Sequence, residues 1–267
     1  MKNRIWYFVL LPLVLLSAAN PPADQYREWP CDAFGPGEKI KYRVHYGFIT
    51  AGEAELAIDK RVHTMNGRPC YKIEINGKTT GLADKLFDVD DKWGTFLDTG
   101  AVVPHRFYRF IKENSYRKNE VVDFKQLEEK ALVHAMQKTD ASKVEKTTTF
   151  DVPTNVQDLV SGYYYFRTID FNQVKKGEII KIKAFFDDEI YDFQIKYEGK
   201  ERIKTELGKR RAIVLTPYLP DNDLFDGEKA VQIWLSDDEF KIPLKIKAKM
   251  FVGAVEVDIE EFSKGKM

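Results

Sequence analysis

Alternation of apolar and polar residues with a period of two runs through most of this chain and limits its fold more than any other feature. Ile40, Tyr42, Val44 and Tyr46 fall on one side of a run whose other side carries Lys39, Lys41, Arg43 and His45. Gly52, Ala54, Leu56 and Ile58 oppose Glu53, Glu55 and Asp59, and Tyr71, Ile73 and Ile75 oppose Lys72, Glu74 and Asn76. Near the far end, Ile242, Leu244, Ile246, Ala248 and Met250 oppose Lys245, Lys247 and Lys249. Val255, Val257 and Ile259 then oppose Glu256, Asp258 and Glu260, with Gly253 placed for a hairpin between the two runs. Successive side chains of a strand point to opposite faces, so each run is a strand with one buried and one wet face.

Further strands are predicted near 86–97, 102–111, 115–124, 130–137, 144–151, 179–186, 190–198, 200–206, 210–217 and 230–235. Asn66-Gly67, Asp187-Asp188, Gly199 and Asp237-Asp238 sit where turns are needed. Helices of about a dozen residues, which parallel crossovers would require, are missing between strands, so the sheet is expected to be antiparallel. One segment departs from the pattern. Thr154 or Asn155 can cap a helix over 155–170, in which Val156, Leu159, Val160, Tyr163, Tyr164, Phe166 and Ile169 recur at helical spacing.

Some fourteen half-apolar strands cannot be covered by one helix only ~24 Å long. The sheet must cover itself, as a barrel or half-barrel with the helix across its opening, or as a two-layer sandwich. The fold class is mainly β: a large curved antiparallel sheet with one substantial helix. Residues 37–263 form a single domain behind a Pro-rich arm at 20–36, and a sheet of this size tends to enclose an apolar cavity or groove.

The first 19 residues are set apart from the fold. Lys2 and Arg4 precede an apolar run from Ile5 to Leu16, and Ser17-Ala18-Ala19 supplies small residues, the pattern of a secretory signal peptide cleaved after Ala19. A spanning helix needs ~20 apolar residues, and Asn20, Pro21 and Pro22 end this run early, so an integral membrane protein is not expected. The chain has 267 residues with 42 basic and 42 acidic side chains; removal of the leader leaves 248 residues, with 40 basic and 42 acidic. That balance provides no basic footprint for nucleic acid. Export to the periplasm, or outside the cell, is the expected location.

Export also bears on the two cysteines. Cys31 and Cys70 can pair in an oxidising compartment and tie the arm to a strand, or they can remain unpaired with one of them buried and inert.

The order of several motifs resembles a known family. Phe34-Gly35-Pro36-Gly37-Glu38, the Tyr42 to Tyr46 strand with Gly47, and Ala51-Gly52-Glu53-Ala54 look like the opening of exported bacterial proteins of the domain of unknown function 3108 family. Asp158-Leu159-Val160-Ser161 leading into Tyr163-Tyr164-Tyr165-Phe166-Arg167 resembles its central helix, and Tyr197-Glu198-Gly199-Lys200-Glu201 its next segment. Ile233-Trp234-Leu235-Ser236-Asp237-Asp238 with Ile242-Pro243-Leu244 and Gly253 resembles its closing hairpins, so the likeness spans 34–262. The resemblance implies an envelope location. It also implies an architecture like that of periplasmic lipoprotein or lipid carriers, with a curved antiparallel sheet closed by helices. It brings no established activity and no catalytic residues.

No constellation points to catalysis. His45, His63, His105 and His134 lie in different predicted strands or turns and read as solvated, and no GxSxG elbow occurs. Asp88-Val89-Asp90-Asp91 and Asp221-Asn222-Asp223 with Asp226 and Glu228 read as acidic turns, because neither has the spacing of a calcium loop. Glu53, Glu55 and Glu74 belong to the polar face. Inward aromatics are more informative, since buried Tyr needs hydrogen-bond partners and is at ease beside a groove. Tyr42, Tyr46, Phe87, Tyr163 and Trp234 are the candidate ligand contacts. The expected role is a non-enzymatic periplasmic binding or carrier protein for a lipid, acyl or lipoprotein envelope component, without metal or cofactor. The alternative is an envelope scaffold that binds a partner protein or glycan without a cavity.

Overall fold

The computed structural model describes residues 25–29, 31–218, 230–251 and 253–265. The leader at 1–19 and the acidic cluster from Asp221 to Glu228 lie outside the described residues. The strands are β1 (Lys39–Tyr46), β2 (Ile49–Met65), β3 (Arg68–Thr79), β4 (Asp90–Asp98), β5 (Pro104–Glu113), β6 (Tyr116–Lys125), β7 (Lys130–Met136) and β8 (Val144–Asp151). They continue with β9 (Ile179–Phe186), β10 (Glu189–Thr205), β11 (Gly208–Tyr218), β12 (Val231–Ser236), β13 (Pro243–Lys249) and β14 (Ala254–Ser263). Two helices, α1 (Gly81–Leu86) and α2 (Leu159–Arg167), interrupt the series.

All fourteen strands form one antiparallel sheet in the order β8-β7-β6-β5-β4-β3-β2-β1-β14-β13-β12-β11-β10-β9. Each strand pairs with its sequence neighbour, and the two ends of the chain meet mid-sheet where β1 pairs β14, Val44 facing Val257. The meander is what the short turns allow. Asn66 and Gly67 both take positive φ between β2 and β3, as do Asp187 and Asp188 between β9 and β10, the conformation that matches a two-residue hairpin to strand twist.

The sheet is not closed: β8 and β9 are its edges, and it curls until β9 faces the interior of β4–β8. Phe185 packs on Phe124 and Phe150 at centroid distances of 6.2 and 5.5 Å, and Phe186 stacks on Trp93 at 5.9 Å. A bare edge would expose unpaired amides. Here Gln157 bridges β9, accepting from Phe185 N at 2.8 Å and donating its own amide to Lys183 O at 2.9 Å. Half-barrel is therefore the right term among the alternatives set by the sequence.

Helix α2 lies inside the curl, and it is shorter than the predicted 155–170. Gln157 is committed to that bridge, and Asn155 has positive φ, so helical geometry begins only after Asp158. The Asp158 side chain accepts from Val160 N and Ser161 N at 2.7 and 2.8 Å, while Ser161 Oγ accepts from Asp158 N at 2.8 Å, a reciprocal cap. At the other end Arg167 is fully buried. It donates to both Glu38 oxygens at 2.6 and 2.7 Å, to Ala33 O and to Phe240 O. Both ends of the helix are thereby fixed to the wall.

Two further differences have physical causes. Gly199, expected in a turn, is a bulge with φ of 107° inside the single 17-residue strand β10, which merges the two strands predicted over 190–206. Helix α1 is not predicted from the sequence because its six residues are too few to show a helical period, and none of them is buried. Cys31 and Cys70 are free thiols. Cys31 packs against the inner core that holds Tyr71's neighbours Ile73 and Ile75, whereas Cys70 is one residue out of phase with Tyr71 and points to the outer face. The sheet itself stands between the two sulfurs.

Candidate functional site

The apolar interior divides into three clusters. One gathers Phe107, Phe124, Val160, Tyr164 and Phe185; a second Ile40, Tyr42, Leu56 and Ile259; a third Phe166, Ile195, Leu215 and Leu235. Tyr163 touches all three, and beside it they fail to meet. The gap is a cavity of about 390 Å³ between α2 and the inner face of β1–β3 and β9–β14. It falls within the ~300–1,000 Å³ usual for small-molecule pockets.

Its lining follows from strand phase. Ala54 and Leu56 of β2, Ile182 and Ala184 of β9, Ile233 and Leu235 of β12, Ile246 of β13 and Val257 of β14 are all inward members of their alternations, and Leu159, Gly162, Tyr163 and Phe166 come from α2. Gly162 keeps the helix close to the wall, since a Cβ there would lie 3.3 Å from the Ile182 methyl. Tyr42, Tyr163 and Asp158 supply the polar groups of an otherwise apolar surface.

These three groups differ in availability. Asp158 is spent on the α2 cap and on a 2.7 Å hydrogen bond from Thr95 Oγ1. Burial pushes its carboxyl up to about 6, against the downward pull of those hydrogen bonds. The Tyr163 hydroxyl is buried with no hydrogen-bond partner, and so is that of Tyr42. Burial also raises it well above the ordinary tyrosine value, so it stays a neutral O–H donor. An unmet buried hydroxyl costs ~1–3 kcal/mol, which an acceptor on a guest would recover.

Of the five candidate contacts, the structure brings Tyr42 and Tyr163 together at the cavity. Trp234 sits on the outward phase between Ile233 and Leu235, nearly buried, with Nε1 donating to Glu201 at 2.5 Å. Tyr46 stands at the end of β1 above Gly253, and Phe87 follows α1 at the surface. The remaining wall is mostly aliphatic, with Phe166 and Phe193. Phase alone could have found Ile233, Ile246 and Val257; the attention to tyrosine passed over them.

Away from the cavity, His105, His63 and His134 each have a polar partner. His105, expected at the surface, is fully buried: Asp98 pairs with its Nε2 at 3.0 Å, and Asn66 with Nδ1 at 3.1 Å. Burial alone would raise the Asp98 carboxyl, but hydrogen bonds from His105, Arg68 and the Ala101 and Gly100 amides outweigh it and hold it well below the carboxylate range. His63 pairs with Asp59 and His134 with Asp123. On the polar face Glu53 meets Lys78, Glu55 meets Lys39, and Glu74 meets Lys72 and accepts from the Tyr108 hydroxyl. Burial pushes the Cys70 thiol up to about 12 and raises that of Cys31. Among the described residues no cluster could hold a metal ion. No helix there is long and apolar enough to cross a membrane.

Comparison with known proteins agrees with the architecture. The family model described as "Protein of unknown function (DUF3108)" matches residues 41–260. No curated protein matches the sequence. Among solved structures, a β-barrel-like protein of another domain of unknown function, DUF1849, from Brucella abortus superposes with a TM-score of 0.58 at 10% identity, covering 87% of this chain and 99% of its own. A candidate lipoprotein from Parabacteroides distasonis gives a TM-score of 0.33 at 10% identity, covering 90% of this chain and 100% of its own. A candidate exported protein from Bacteroides fragilis gives 0.33 at 8% identity, with the same coverage.

Proposed function

The chain belongs to the DUF3108 family, and on that premise we propose that it is a non-enzymatic binding or carrier protein. It would take an apolar chain, such as the acyl part of a lipid or lipoprotein, into the cavity between α2 and the sheet. The observation that carries this reading is the cavity itself, a space of about 390 Å³ walled largely by apolar side chains, with two unpartnered hydroxyls, those of Tyr42 and Tyr163. A chain that buries ~300 Å² of apolar surface there gains about 7.5 kcal/mol at ~25 cal/mol per Å². The Tyr42 O–H would then fix the position of an ester or carboxyl oxygen. A scaffold working through its outer surface alone would have no use for such a void, so the cavity favours the carrier reading. The location proposed with it is the periplasm or another exported compartment, after loss of the leader at Ala19.

A non-catalytic role has its own support. The one ionisable side chain at the cavity wall besides tyrosine is Asp158, and its oxygens are occupied by the helix cap and Thr95. Titration with a fluorescent fatty acid tests the binding. Saturable uptake is expected in the native protein and at least tenfold weaker uptake in Ala54→Phe/Ile246→Trp, which fills the space; no saturable uptake by the native protein would overturn the reading.

A further inference from the structure

The turns of the meander separate onto two rims, and the rims differ in chemistry. Register places the β1–β2 turn, the α1 segment between β3 and β4, the β5–β6 turn and the β13–β14 turn at one end of the sheet, since Tyr46 pairs with Ile49 and Val255, Lys78 with Asp90, and Glu113 with Tyr116. The opposite rim is occupied. There Arg167 holds the end of α2 to Glu38 and Phe240, and the arm is tied down by Arg27 and Trp29 at Ala101, Val102 and Gly100.

The first rim carries exposed apolar side chains on separate tips. Phe48 is wholly exposed, Leu82 and Leu86 stand one helical turn apart on α1 at 73% and 85% exposure, and Phe87, Tyr116 and Phe251 are each about half exposed or more. The cavity opens towards the same rim. Ile246 and Val257, wall residues within four positions of the β13–β14 turn, are partly exposed, whereas Leu235, Tyr42 and Phe166 further down are buried.

We propose that this rim docks onto a lipid bilayer, its apolar tips entering the interface so that the cavity mouth meets the hydrocarbon. The proposal rests on the carrier reading for its purpose, because an apolar guest has to be taken from, or returned to, a phase that dissolves it. The partner is a bilayer rather than a protein because the apolar residues come from four separated turns with Asp84, Lys85, Asp88 and Asn114 between them. A fluid interface accepts such isolated side chains, whereas a protein partner covers a continuous core. On these turns Asp88 pairs with Lys112 at 3.1 Å and Asp84 accepts from Thr79 Oγ1 at 3.1 Å. Attraction should therefore come from apolar burial and depend little on anionic lipid.

Flotation with phosphatidylcholine vesicles, with and without phosphatidylglycerol, tests this. The full chain should float with both. Phe48→Ser/Leu82→Ser/Leu86→Ser/Phe251→Ser, whose changes are all at exposed positions, should bind about tenfold more weakly or worse. The same variant should keep its far-UV circular dichroism and fatty-acid uptake. Conversely, Ala54→Phe/Ile246→Trp should float normally while losing uptake, so failure of docking and failure of the cavity read out separately. Absence of flotation, flotation only with phosphatidylglycerol, or undiminished flotation of the fourfold variant would overturn the proposal.

Discussion

Asp158 meets two demands that oppose each other: a carboxylate suits the α2 cap, but full burial disfavours its charge. With a folded value of about 6 and an unfolded one of ~3.9, the folded state retains a proton between those limits that the unfolded state has lost. Stability should therefore fall as pH rises through that window and level off above about 6. The total effect is about 3 kcal/mol at ~1.4 kcal/mol per pH unit. Asp98 acts in the opposite sense. Its carboxyl is held low, so its contribution is present above ~3.9 and lost as pH drops below that value. Urea denaturation across the acid-to-neutral range checks both: Asp158→Asn, which still caps the helix, should flatten the upper slope, and Asp98→Asn the lower one. The Glu38–Arg167 pair is buried on both sides. Glu38→Gln leaves a buried guanidinium short of its counter-charge and should cost ~3–5 kcal/mol in the same assay.

Among the elements, the strands were readable because alternation survives wherever one face is wet: β8 and β9 run over 144–151 and 179–186, as predicted. Turns with a chemical signature, such as Asn66-Gly67 and Asp187-Asp188, were readable for the same local reason. What a sequence window does not contain is the partner strand. Gly199 looks like a turn residue, and only the pairing of Tyr197 with Leu215 and of Gly199 with Val214 shows that it is a bulge. Its φ of 107° suits glycine, so Gly199→Ala should destabilise the chain by ~1–2 kcal/mol in urea denaturation. The start of α2 was misplaced because the bridge from Gln157 to β9 is a tertiary contact. Of the cavity residues, Tyr42 and Tyr163 were legible as inward aromatics. Trp234 packs into the apolar cluster that holds Tyr42 but does not line the cavity, and its indole reaches Glu201, a contact that strand phase alone does not show.

At the scale of the molecule, the face-counting expectation of a sheet that bends around itself matches the single fourteen-stranded half-barrel. That curvature keeps Cys31 and Cys70 on opposite sides of the wall. Intact mass should be identical with and without reductant, and Cys70 should alkylate only on unfolding; a loss of two hydrogens reversed by reductant would contradict this. The same curvature leaves the void on which the functional account depends. The most direct test is native mass spectrometry of the chain purified from the cells that make it, beside Ala54→Phe/Ile246→Trp. The account predicts an added mass in the acyl-chain range on the native protein and none on the variant. A native protein that flies only at its bare mass, or a variant that carries the same adduct, would contradict it.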